Sequence, residues 1–414
     1  MDIIETINSI LGVLFFVCCA YRILYLAVPF FRRIRHHRPA TLHKFAVLIS
    51  ARNEEKVISH LLDSIRAQNY PAELIRIFVV ADNCTDGTAH VSREHGATVY
   101  ERFNLNRVGK GYALNWLLEN IRRDFGWESF DGYFVFDADN LLSPDYISEM
   151  NKTFSDGYKV ITSYRNSKNY GDNWISSGYS LWFLHEAKYL NYSRMALGTS
   201  CAVSGTGFMF SNEVLKKAEG WNFFLLTEDI EFTAWNVVGE ETIGYCHSAM
   251  FYDEQPTRFD QSWRQRLRWA KGYLQVFRNY GAKLFFGFFR GRGFACYDIA
   301  MSILPAVVIT IVGLVLDAAA SVITLAAGGN ALPIVLSAAK GLLGSYIFLF
   351  FIGLLPIITE WKKIRASVPK KLLSLVTFPL FMMTYIPISI AAIFAHVEWK
   401  PIEHKAAIKF SDLK

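Results

Sequence analysis

Apolar residues are arranged in two ways along this chain of 414 residues. Residues 8–31 form an almost unbroken apolar run, and three more follow at about 299–327, 335–359 and 372–396. At 1.5 Å rise per residue, the first run reaches roughly 36 Å, more than the ~30 Å hydrocarbon core of a bilayer. It is too long for a signal peptide, and no small-residue cleavage site follows it. Between the first run and the late ones, apolar residues come in short blocks. Phe45–Ser50, Ile75–Ala81, Ala97–Glu101 and Gly132–Phe136 read as strands. Val57, Leu61, Leu62 and Ile65 are spaced as one face of a helix within 54–68. This alternation predicts a parallel α/β sheet, whose ligands sit beyond the carboxyl ends of the strands.

The flanks of the apolar runs orient them. Arg32, Arg33, Arg35 and Arg38 follow the first run, and the segment from Trp361 to Lys371 is basic. The loop Gly328-Gly329-Asn330 is uncharged. The positive-inside rule therefore predicts that 32–298 and 360–371 face the cytoplasm of a multi-pass protein of the cell membrane. The last run contains Pro379 and Pro387, and Lys400, Lys405 and Lys409 follow it, so its orientation stays open. Two charges lie inside the runs. Arg22 is about 15 Å deep by helical rise, and Asp317 sits nearer the outer face, so a direct pair is not expected. Arg22 either lines a polar path or snorkels or bonds a backbone carbonyl.

Composition agrees with partial membrane residence: 52% of residues are hydrophobic and 19% charged. A net charge of +6 is too mild and too dispersed to argue for nucleic acid. Cys18, Cys19, Cys84, Cys201, Cys246 and Cys296 show no CxxC spacing. They suggest neither a zinc site nor a disulfide framework, and read as reduced cytosolic thiols.

Polar residues cluster at the predicted strand ends: Ala51-Arg52-Asn53-Glu54, Asp82 through Gly87, and Asp137-Ala138-Asp139. There is no GxGxxG or Walker A sequence, so neither a dinucleotide fold nor a P-loop is indicated. Asp137 and Asp139 can hold one hard cation, Mg2+ or Mn2+, leaving room for phosphate oxygens; an acidic turn is the plainer reading. Asp82 can accept from a base N–H or simply belong to a turn. Lys110 precedes a helix predicted to begin near Tyr112, a place suited to phosphate, though a solvated lysine is also ordinary there. Thr227-Glu228-Asp229 reads as a helix start, with Thr227 as cap and the acids facing the dipole. Alternatively, Asp229 is a general base. Gln265, Arg268 and Trp269 share a helix face offering an amide, a guanidinium for phosphate and an indole for a sugar ring. Arg264, Arg266, Lys271 and the run Phe285–Arg292 favour an amphipathic helix lying on the membrane, which is compatible with that site.

With these residues in order, the chain resembles the membrane-bound family 2 glycosyltransferases, which include cellulose, chitin, hyaluronan and poly-N-acetylglucosamine synthases. The resemblance spans nearly the whole length. It implies an amino-terminal anchor (1–31), a GT-A-like α/β domain with a mixed, mostly parallel sheet (32–260), and interfacial helices (261–298). It further implies a helical transmembrane region (299–396) and a tail (397–414). It implies Glu54 and Asp82 near uracil, Lys110 near the diphosphate, and Asp137 and Asp139 at nucleotide and metal. Asp229 would be the catalytic base, with Gln265 and Arg268 at the pyrophosphate. Trp269, Gly205 and Thr206 of the Ser204–Gly207 loop, and Glu228 would face the acceptor. The implied reaction is inverting transfer from a UDP-sugar, such as UDP-GlcNAc or UDP-Glc, to a growing β-linked polysaccharide passed across the membrane. No second carboxylate suggests a retaining double displacement. A non-processive glycolipid-forming transferase shares these motifs, and an inactive membrane scaffold or export component is the reading from another class. Two departures matter. Arg52 stands where many relatives have an aromatic residue. About eighteen residues follow the last run, so a cyclic-nucleotide-binding domain is not expected there. Accessory export proteins and homo-oligomers are left open.

Overall fold

The computed structural model of the chain describes residues 2–36, 38–291, 293–303, 305–328, 330–398 and 410. Lys400, Lys405 and Lys409, and the tail beyond 398 apart from Phe410, lie outside the described residues, as do Arg292 and Gly329.

The four apolar blocks become β1 (Phe45–Ala51), β2 (Ile75–Asp82), β3 (Thr98–Arg102) and β4 (Gly132–Asp137). They pair in parallel around β1. Alternate side chains of β1 enter two cores. Ala46 and Leu48 meet Ala113, Leu114 and Leu117 of the helix Lys110–Phe125, while Val47 and Ile49 meet Leu61, Leu62 and Ile65 of the helix Ile58–Arg66. Both faces are covered, so the strand reads as a continuous apolar run rather than an alternation. The helix predicted near Tyr112 begins at Lys110, straight after Gly109, whose φ of +139° strains any residue with a side chain.

The sheet continues beyond the predicted strands. β5 (Leu141–Leu142), β6 (Val160–Ser167), β7 (Phe208–Ser211) and β8 (Ile243–Asp253) extend it in the order β3-β2-β1-β4-β7-β6-β8-β5. β7 runs antiparallel to β4 and β6, β6 and β8 are parallel, and β5 is antiparallel to β8. The sheet is thus mixed, and the purely parallel pattern holds for its first half alone. β6 and β8 carry too many polar residues to show as apolar blocks. Several of them are nonetheless buried, and Ser163 is satisfied there: its Oγ donates to Gly207 O and shares a 2.7 Å hydrogen bond with Tyr146 OH.

Among the described residues, three helices are long and apolar enough to cross a membrane: Gly12–Phe31, Ile334–Thr359 and Val368–Phe394. The predicted run at 299–327 is instead divided between the helices Gly293–Ile303 and Pro305–Ala326. Buried polar contacts tie these helices to the α/β unit. Arg194 donates to Asp298 through Nε (2.7 Å) and Nη2 (3.0 Å), and the Tyr21 and Tyr25 hydroxyls donate to the same carboxylate. Arg22 donates to Met301 O (3.1 Å) and Ser302 Oγ (3.2 Å), a backbone carbonyl among its partners.

The 30-residue helix Phe259–Phe288 packs against Gly293–Ile303, Tyr385–Phe394 and Glu228–Val238. Arg266 corrects the surface reading of this helix. It is wholly buried, donates to Phe381 O (3.2 Å) and Thr384 Oγ1 (2.6 Å), and lies over the Phe381 and Tyr385 rings. The helix Val368–Met383 stops at Thr384, and the guanidinium occupies that joint. Phe285, Phe286 and Phe289, at the other end of the long helix, are exposed.

Candidate active site

A cavity of about 560 Å³ opens at the carboxyl edge of β1, β2 and β4 and continues between the apolar helices. At one end lie Arg52, Glu54 and Asp82. Parallel pairing of β2 and β3 sets Asp82 opposite Arg102, and the two form a buried ion pair. Asn83 Nδ2 also donates to Asp82 Oδ1 (3.1 Å), so that oxygen is shared between two protein donors. Nothing in the linear pattern marks Arg102; its role follows from strand register.

Deeper in, Lys110 Nζ contacts Asp137 Oδ1 and donates to Gly205 O (2.8 Å). Its side chain is only 13% exposed, which excludes the solvated-lysine reading. Asp137 ends β4, and its backbone N–H donates to Thr206 Oγ1 (2.9 Å). Asp139 is buried; its Oδ2 accepts from the Glu254 backbone N–H (2.8 Å) and its Oδ1 from Asn140 Nδ2 (3.2 Å). Asp253 lies in the same acidic cluster. Burial pushes its carboxyl up to about 6; Arg165 opposes the shift, and Asp139 and Asp137 add to it.

This crowding of acids suits a hard divalent cation. Among the described residues, no group of three or more His, Cys, Asp or Glu side chains is arranged to hold a metal by itself. Asp137 and Asp139 alone would supply only part of a hard cation's oxygen shell, and Asp137 Oδ1 is in contact with Lys110 Nζ.

Asp229 lies in the first turn of the helix Glu228–Val238, and Gly205 N–H donates to its Oδ2 (2.6 Å). Gly205 thus joins Lys110 through its carbonyl and Asp229 through its amide, with φ at +75°. Two residues on, Gly207 (φ +66°) packs so closely on Phe251 that an added Cβ would fall 2.1 Å from the ring. Thr227 holds the N-cap position without a side-chain cap bond; its hydroxyl is buried and unpartnered beside Gly272. Capping by Thr227 is therefore not what organises this turn. Burial raises both acids, Glu228 to about 7 with Asp229 as its neighbouring charge. Lys110 and Arg268 pull in the other direction.

Gln265, Arg268 and Trp269 line the same cavity. Arg268 Nη1 donates to Leu226 O (2.7 Å), and Trp269 meets Tyr179 edge to face at 5.7 Å. Gln265 Oε1 is buried without a protein partner. Arg165, Glu186 and Tyr273 also line the cavity and belong to no sequence motif. Glu186 begins a π-helical turn, Glu186–Asn191, within the helical stretch 174–196, so spacing on an ordinary helix does not place it. Glu186 adds a carboxylate to the cavity lining beside the expected Glu228 and Asp229.

The α/β unit has a GT-A-like fold, and it is joined to apolar helices that could span a membrane. A family model described as "Glycosyltransferase like family 2" matches residues 43–272, and the chain belongs to that family. Its relatives include beta-monoglucosyldiacylglycerol synthase of Nostoc sp., 26% identical over 269 residues (60% of this chain, 54% of the relative). Poly-beta-1,6-N-acetyl-D-glucosamine synthase of Staphylococcus epidermidis is 25% identical over 235 residues (55% of this chain, 54% of the relative). The chain spans about half the length of the curated relatives it matches. Mannosyltransferase PcManGT from Pyrobaculum calidifontis, solved with GDP-Man and Mn2+, shares the fold at a TM-score of 0.60. That likeness covers 94% of this chain and 99% of the other, at 16% identity.

Proposed function

We propose that the protein is an inverting membrane glycosyltransferase that takes a UDP-sugar and elongates a β-linked polysaccharide, coupled to its passage across the membrane. The observation that carries this is one cavity joining Asp82, the Lys110–Asp137 pair, Asp139, Asp229 and Trp269, and reaching Arg22 and Ser302 among the apolar helices. Residues 32–260 form the catalytic unit on the cytoplasmic side, 261–298 the junction, and 1–31 and 299–396 the membrane region. Glu54 and Asp82 face the base. Lys110 and Arg268 bind the diphosphate, and Gln265 supports them.

Asp137 and Asp139 would hold a magnesium or manganese ion, which when bound neutralises charge on the departing diphosphate. Asp229 removes the proton from the acceptor hydroxyl as its oxygen attacks the anomeric carbon opposite the leaving group. Gly205 N–H orients this carboxylate (2.6 Å). Inversion needs one displacement, and Lys110 and Arg268 oppose the negative charge that develops on the nucleotide. Trp269, Thr206 and Glu228 bound the acceptor.

A second reading, transfer of one or two sugars to a lipid, draws on the inner wall of the cavity. Ile299, Ile303, Met382 and Ile386 line it there, which suits an acyl chain. The purified protein, incubated with UDP-Glc, UDP-GlcNAc and GDP-mannose plus manganese, followed by product sizing and linkage analysis, separates the readings. Long water-soluble β-linked product supports elongation. A short organic-soluble glycolipid supports the second reading, and no turnover of any donor leaves a scaffold.

A further inference from the structure

Glu186 is a carboxylate in this cavity that the transfer step does not use. Arg165 and Arg194 both bear on it, yet each is held by another acid: Arg165 Nε by Asp253 (2.8 Å) and Arg194 by Asp298. Among the described residues Glu186 has no ion-pair partner. The one hydrogen bond to its carboxylate among the described residues is a long one from Ser204 Oγ (3.4 Å). Aromatic rings lie close by in the cavity wall. Phe183, one turn earlier, stacks beneath the Arg165 guanidinium at 3.6 Å and meets the Trp269 ring at 6.5 Å. Ser204 precedes Gly205, the residue that orients Asp229. The π-turn adds a residue to the helical repeat and sets Glu186 on the cavity wall. Such turns are rare and concentrate at functional sites.

We infer that Glu186 is an acceptor-positioning residue: it accepts hydrogen bonds from non-reacting hydroxyls of a sugar acceptor, while Trp269 and Phe183 bound the ring. This rests on the transferase reading above and names its acceptor class as a polyol sugar. A carboxylate binds neighbouring hydroxyls through two strong, charge-assisted bonds. The lone hydroxyl of a diacylglycerol has no such neighbours. A site built around hydroxyl bonds discriminates steeply against ligands that lack them, because its buried polar group is then left unpaired.

The test uses the full-length purified protein with UDP-GlcNAc or UDP-Glc as donor, and octyl β-glucoside, chitotetraose or dioctanoylglycerol as acceptor. Glu186→Ala and Glu186→Gln are compared with wild type for acceptor KM, kcat, UDP affinity and melting temperature. Glu186→Ala is expected to raise the KM for the sugar acceptors roughly 10- to 100-fold, with UDP affinity and melting temperature unchanged. Glu186→Gln, which keeps one acceptor oxygen, recovers part of the loss. Unchanged sugar KM in both variants overturns the inference, and so does a wild-type preference for dioctanoylglycerol. Should Glu186→Ala fail to fold, Glu186→Gln alone still decides. If wild type turns over no donor, the transferase reading fails separately. Quenching of tryptophan fluorescence by chitotetraose in the presence of UDP then settles the binding site: equal binding by wild type and variant, or none by wild type, refutes it.

Discussion

The two ends of the cavity are built differently. At the donor end, Asp82, Asp137 and Asp139 sit on or just past the ends of neighbouring parallel strands, so backbone pairing alone brings them together. At the helical end, Trp269, Glu186 and Arg194 come from helical stretches far apart in the chain, while Gln265 and Arg268 reach back from the Trp269 helix toward the donor. Those helices are held by buried polar bonds, Arg194 to Asp298 and Arg266 to Phe381 O and Thr384. A strand-end site inherits the rigidity of the sheet. A helix-junction site depends on each tie, and a buried charge left without its partner is strongly destabilising.

The largest effect is expected where the ends meet. Asp229→Asn should lower sugar transfer by about 10²- to 10⁴-fold, because proton removal is lost. UDP affinity should hold, since the donor end is built separately. Near-normal turnover would reduce Asp229 to a helix-start residue.

Breaking a helix tie comes next. Arg194→Met leaves Asp298 buried without its cation and should destabilise the protein by about 3–5 kcal/mol. Adding Asp298→Leu should restore much of that, as paired apolar replacements often do. Thermal unfolding in detergent reads both. If the single and double variants melt alike, the ion pair is not what holds the helical end.

Two substitutions then separate the ends. Asp139→Ala should weaken manganese-dependent UDP binding by at least about tenfold in calorimetry, because it removes a proposed hard oxygen ligand. Trp269→Ala should spare UDP binding while cutting polymer yield by about a hundredfold, the order expected from a 1 Å misplacement of the acceptor. A Trp269 variant that also loses UDP would couple the two ends.

The smallest effect concerns pH. The folded-state pKa of Glu228 is raised from 4.5 to about 7. The folded protein therefore binds more protons than the unfolded chain across that window, and stability falls as pH rises through it. Glu228→Gln should flatten this slope and gain most against wild type above pH 7, where Glu228 is ionised. Superimposable stability–pH curves for wild type and Glu228→Gln would show that Glu228 does not carry this shift.

Some of this could be read from the chain alone. Apolar blocks with both faces buried marked β1 to β4, and unbroken apolar runs marked the long membrane-type helices at 8–31, 335–359 and 372–396. Both signals come from neighbours in sequence. Short motifs likewise carried Asp137, Asp139, Asp229 and Trp269 into view. The other half of the sheet stayed hidden because β6 and β8 carry many polar residues, some satisfied by distant groups, as Ser163 is by Gly207 O. Arg266 looked like a surface cation and is buried, because its partners lie 115 or more residues away.

The sequence by itself determined which segments bury apolar surface and which residue types could handle a nucleotide, a cation and a proton. Tertiary structure alone decided that Arg102 meets Asp82, through strand register. It also decided that Gly205 links Lys110 to Asp229, through two left-handed glycines in a loop, and that a π-turn carries Glu186 into the cavity. The physical reason is range. Periodicity and strand ends are written within a few residues, whereas ion pairs and cavity walls join groups that only the packed chain brings together.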